Sequence, residues 1–137
     1  MVDIAGQALV GQSVGVSDWH SFIRLFQGSG INPDAYNEFE VYADSTGMQV
    51  KVKSGEALVA GQRCYSAGEE IIPISVSDPA NDRIDVIVLR SSLTAGTREI
   101  DVLTGVAAAV PVAPVLTVTN DVYEFALAEI LIDAAAV

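Results

Sequence analysis

The stretch Ile84-Asp85-Val86-Ile87-Val88-Leu89-Arg90 constrains the fold of this chain more than any other. Consecutive aliphatic residues from Val86 to Leu89 leave neither face of a strand for water, which predicts a central strand covered on both sides. The polar loop Ser91–Gly96 follows, and Thr97–Leu103 returns with Arg98, Glu99 and Asp101 set between Ile100, Val102 and Leu103. The pair reads as a hairpin. Asp85 points from a mostly buried strand and needs a cationic partner. Arg83, Arg90 and Arg98 are the cations at hand, and we expect Arg83, Asp85 and Arg90 to build a polar network around this strand.

Period two dominates elsewhere too. Met48, Val50 and Val52 alternate with Gln49, Lys51 and Lys53, a half-buried strand with one solvated face. Ser54-Gly55 turns it, and Ala57–Val59 leads to Gly61-Gln62. Ile72, Ile74 and Val76 alternate as well, with Pro73 confining that strand to a sheet edge. The residues Ser77 to Asp82 are those of a turn. Pro111 and Pro114 forbid a helix through Val106–Pro114 and favour an extended crossing. Val122–Asp133 alternates again, and its aromatic and β-branched residues favour a strand. The only helical pattern is early: Trp19, Phe22, Ile23 and Phe26 form one apolar stripe, Ser17 or Asp18 can cap it and Gly28 can end it. The expected fold is mainly β, an antiparallel β-sandwich or barrel-like domain with one short N-terminal helix over about 18–27. Residues 1–16 read as an N-terminal arm that makes assembly contacts through Ile4 and Leu9, and 17–137 as a single β-rich domain. Trp19, Phe22 and Phe26 are expected to pack the helix on the sheet or on a neighbouring subunit.

Composition narrows function by exclusion. Seven Lys+Arg against eighteen Asp+Glu give a formal charge of −11, which argues against nucleic acid and anionic membrane surfaces as partners. Residues 1–68 hold seven acids against four bases and 69–137 eleven against three, so the charge is concentrated in the second half. The longest apolar runs are broken by proline and fall short of a bilayer span. Met1-Val2-Asp3-Ile4 has no basic region before an apolar core, so no secretory signal is expected. The apolar end Ala134–Val137 reads as packed against a partner or continued in the natural polypeptide.

Catalytic signatures are missing from the sequence. His20 is the single histidine and has no nucleophile or orienting acid at useful spacing. Cys64, beside Arg63 and Tyr65, reads as a small buried residue, and one cysteine cannot make a disulfide framework. Asp78 and Asp82 are the weak candidates for a metal, but an EF-hand needs a spacing and a central Gly that this loop lacks. Gly28-Ser29-Gly30 follows a helix and so cannot cradle phosphate at a helix start. No cofactor and no enzymatic activity are expected.

Several stretches in order carry a resemblance. These are Ser29-Gly30-Ile31, the run from Gly47 to Gly61, Asn81 to Arg90, Leu103-Thr104-Gly105 with Pro111 and Pro114-Val115-Leu116-Thr117, and Tyr123 to Ile130. Together they resemble a domain of tailed-bacteriophage and prophage structural proteins, one that usually opens a longer minor tail, baseplate or fibre protein. The resemblance covers about residues 18–133. It implies a compact virion β-domain, often trimeric, that anchors or organises a distal element. It brings no catalytic residues. Implied partners are other virion proteins (tail tube, baseplate or fibre subunits) and further copies of the chain, with a homotrimer favoured. The implied location is the virion, tail rather than head, after synthesis in the host cytoplasm. Two alternatives share the composition: a host-surface carbohydrate-binding module using Tyr36, Tyr42, Tyr65 or Tyr123, and a capsid decoration or head-fibre protein.

Overall fold

A computed structural model describes residues 15, 22–33 and 36–137. Nine strands lie among the described residues: β1 (Gly30–Ile31), β2 (Val41–Tyr42), β3 (Gln49–Val52), β4 (Gly55–Val59), β5 (Gln62–Ser66), β6 (Glu70–Pro73), β7 (Arg83–Ser92), β8 (Thr97–Leu103) and β9 (Val122–Ile132). They form antiparallel sheets in the orders β1-β4-β5, β2-β3-β6 and β8-β7-β9. The fold is mainly β, as the period-two patterns predict, and the sheets do not close into a barrel.

β7 is the central strand of its sheet, with Val86, Ile87, Val88 and Leu89 all buried. Its odd-numbered face carries Ile87 and Leu89 into a core shared with the other two sheets, where they join Phe39, Val50, Val52, Ala57, Val59, Cys64 and Ile72. Val86 and Val88 point the other way and are also buried. The crossing that joins β8 to β9 is pinned to the ends of this sheet: Gly105 to Asp85, Ala108 to the Asp82 carbonyl, and Thr117 to Glu124. It has no regular structure over 104–117, as its prolines require. A bulge between Ile87 and Val88 shifts the register against β9, so that Ile87 faces Ala128 and Val88 faces Ala126.

Turn chemistry fixes the smaller sheets. The β4–β5 hairpin turns at Ala60 and Gly61, both at positive φ (50° and 80°), the mirror-image turn whose twist suits two strands joined by two residues. Pro73 closes β6, an edge strand as its proline predicts. Phe39 is buried at a φ of 55°, and Gly55 lies beneath it where a Cβ would stand 2.5 Å from its ring.

Residues 22–26 are helical, inside the span expected at 18–27, and Gln27 closes the turn on the Ile23 carbonyl at 2.9 Å. The start of that helix, with Trp19 and His20, and the arm with Ile4 and Leu9 lie outside the described residues. Phe22 and Phe26 meet each other at a tilt of 56° with centroids 4.9 Å apart and stay exposed, so they do not pack into the sheet. Of the expected stripe, the described residues show Phe22 and Phe26 exposed and Ile23 half-buried.

Candidate functional site

The expected network of Arg83, Asp85 and Arg90 is two separate clusters, and strand parity explains why. Residues 83 and 85 share one face of β7 while residue 90 is on the other. On the inner face Arg83 Nε donates to both Asp85 oxygens at 2.9 and 3.2 Å, and its Nη1 donates to the Val76 carbonyl at 2.6 Å. Asp85 Oδ1 also accepts the Gly105 N–H at 2.9 Å. One buried ion pair thus ties the loop before β7, the strand itself and the start of the crossing. On the outer face Arg90 donates to Glu124 Oε1 through Nε (2.9 Å) and Nη2 (2.8 Å), and to Asp101 through Nη1. Glu124 Oε2 accepts the Thr117 N–H at 2.6 Å. Burial pushes the Glu124 carboxyl up, but the Thr117 N–H and the Arg90 guanidinium outweigh it and hold the group below its ordinary value. Both clusters are clamps for the crossing, with every charge partnered.

Asp78 and Asp82 do not converge on a cation. Asp78 Oδ1 accepts the N–H groups of Ala80 and Asn81, each at 2.8 Å, which lowers its pKa. Asp82 Oδ1 accepts the Ala134 N–H at 2.8 Å. Among the described residues no three His, Cys, Asp or Glu side chains are grouped to hold a metal. Cys64 is buried in the core, and that burial raises its thiol pKa. No helix among the described residues is long and apolar enough to cross a membrane.

Two surfaces remain. The crossing carries Val106, Val110, Val112, Val115 and Val118, all exposed, on its solvent side. The second is the outer face of the β1-β4-β5 sheet. Register places Gly30, Leu58 and Arg63 in one row, and Asn32 continues β1 beside Glu56 and Tyr65 in the next. Above them is an open groove of about 330 Å³ lined by Gln27, Gly30, Asn32, Glu56, Leu58 and Arg63. Glu56 is held by Arg63 at one oxygen and by Asn32 Nδ2 at the other, 3.0 Å away. Arg63 first and Asn32 second keep the Glu56 carboxyl below its ordinary pKa, so it stays ionised. The Arg63 guanidinium lies over the Tyr65 ring at 4.9 Å, and the Tyr36 ring meets that of Tyr65 at a tilt of 55° with centroids 5.2 Å apart, both rings exposed.

The four tyrosines therefore divide. Tyr36 and Tyr65 meet beside the groove. Tyr42 donates to Glu69 on the second sheet, and Tyr123 packs against the core. Asn32 and Glu56 were not apparent from sequence, although alternation through the β4–β5 hairpin already places Glu56, Leu58, Arg63 and Tyr65 on one face. Comparison with known proteins finds no relative: no protein-family model matches the chain, and neither does any curated protein or solved structure.

Proposed function

We propose that this protein is an assembly module of a tailed-phage virion, a tail-tip, baseplate or fibre-anchoring subunit that works by contact and not by catalysis. The observation that supports this reading is the valine-bearing crossing, an irregular segment clamped at both ends so that it holds apolar side chains toward solvent. A soluble chain that keeps so much apolar surface on one segment uses it against another protein. Phe22, Leu25 and Phe26 on the short helix are exposed in the same way. The acidic balance keeps such a subunit soluble before assembly. The order of the motifs from Ser29 to Ile130 supplies the phage part of the reading.

Sedimentation of the full chain tests the assembly role. A trimer that becomes a monomer in the double variant Val112→Asp, Val115→Asp, with the melt retained, is the expected result; a monomer at all concentrations contradicts it. Immunogold labelling of purified virions tests the location. Label at the tail end supports the reading, and virions without the chain overturn it.

A further inference from the structure

We infer that the groove on the outer face of the β1-β4-β5 sheet is a binding site for a neutral saccharide. The inference does not rest on the assembly role, since it concerns a different sheet and a different surface.

Three things on this face point to that ligand. The first is space where a side chain is absent: among the described residues no atom lies within 4 Å of where a Cβ of Gly30 would stand, and the groove opens over it. The second is a row of fixed polar groups. Glu56 is an ionised acceptor whose position is set by Arg63 and Asn32, and each of its oxygens keeps a further lone pair. Beside it stand the remaining N–H groups of Arg63 and the amide oxygen of Asn32. Each sugar hydroxyl is at once a donor and an acceptor, so neighbouring hydroxyls need acceptors and donors alternating within one side chain's reach. Glu56, Arg63 and Asn32 provide that alternation on a rigid strand pair. The third is an aromatic pair next to the groove, outside its lining. The exposed rings of Tyr65 and Tyr36 offer an apolar surface for the C–H face of a pyranose that extends past the polar row, and Arg63, which lines the groove, lies over the Tyr65 ring.

Electrostatics selects the neutral class. Arg63 is offset by Glu56, the chain carries −11 overall, and no uncompensated cation faces the groove among its described lining residues. A sulfated or uronic acid chain would meet repulsion here.

The test is titration of the isotope-labelled full chain with neutral oligosaccharides (maltohexaose, cellohexaose, galactobiose and mannobiose) followed by amide NMR, with heparin tetrasaccharide as the anionic comparison. The expected result is saturable shifts confined to residues 27–33, 56–58 and 63–65 for at least one neutral sugar, with no response to heparin. Gly30→Leu fills the groove where nothing stands in its way and should weaken that binding about tenfold or more while leaving the melt unchanged. Tyr65→Ala, at an exposed position, should weaken it without changing sedimentation. No saturable shift with any neutral sugar, shifts outside the groove, preference for heparin, or undiminished binding by Gly30→Leu would each overturn the assignment. Because sedimentation is read on the same samples, loss of sugar binding and loss of assembly are told apart.

Discussion

Gly105 lies so close to Ile84 that a Cβ at position 105 would be driven into the Ile84 carbonyl oxygen, and from this position the Gly105 N–H reaches Asp85. The contact is backbone against backbone, so no flexible side chain can move aside. Gly105→Ala should therefore destabilise the protein by about 1–3 kcal/mol, the usual range for overpacking. Gly68→Ala, where a Cβ meets nothing, should leave stability within about 0.5 kcal/mol. Chemical denaturation of the two variants side by side checks this; equal midpoints would contradict the close approach.

Asp85→Ala removes one partner of a buried ion pair and leaves the Arg83 charge buried with only the Ser75 and Val76 carbonyls to meet it. A loss of about 3–5 kcal/mol is expected. The double variant Asp85→Ala, Arg83→Met should recover part of it, because the stranded charge is gone. A double-mutant cycle in urea reads the coupling, and a coupling near zero would mean that the pair is not buried as described.

Acid should weaken the fold through several carboxylates at once. Asp44 is held down to about 2, first by Lys51 and then by Thr46, and Glu56, Asp78, Asp121 and Glu124 are also lowered. A folded pKa below the unfolded one contributes stability in full above the unfolded value, near 4, and loses it as pH falls through the folded value. Melting temperature should therefore be flat from about pH 6 to 8 and fall steadily from about pH 4.5 toward 2. Asp44→Asn should flatten the most acidic part of that curve. Tyr42, Lys51 and Lys53 are shifted upward, so their contribution is present below about pH 10 and lost above it.

Ser91 is fully buried on β7, and its hydroxyl has no hydrogen-bond partner among the described residues. Ser91→Ala removes an unsatisfied polar atom at little cost in volume. Stability should rise by about 1 kcal/mol. A fall of similar size in the denaturation midpoint would show that the hydroxyl is bonded after all.

The central strand was legible because Val86 to Leu89 state their burial in the most local terms, as an unbroken aliphatic run. Pro73 and the prolines of the crossing were legible for the same reason, since each acts on its own φ and N–H. Partner choice was less so. Parity along β7 already separates Arg83 and Asp85 from Arg90, but Glu124 meets Arg90 only through the β7–β9 register and its bulge, which no short window of sequence contains. The groove has the same character: Asn32 reaches Glu56 through the β1–β4 pairing, between segments with nothing periodic in common. The phenylalanine stripe shows the opposite case. Its helical spacing was plain, yet spacing says which residues share a face and not which molecule that face meets.

The place of β9 in the chain has a consequence for synthesis. β7 gains its β8 partner at once through a short turn, but its other edge stays open until the whole proline-bearing crossing and then β9 have left the ribosome. During that interval the most apolar strand of the protein presents unpaired N–H and C=O groups to every other nascent copy. The chain is thus most vulnerable to mispairing between synthesis of β8 and of β9, and pauses that delay Val122–Ile132 should send it to aggregates in a way that the stability of the folded sheet cannot prevent.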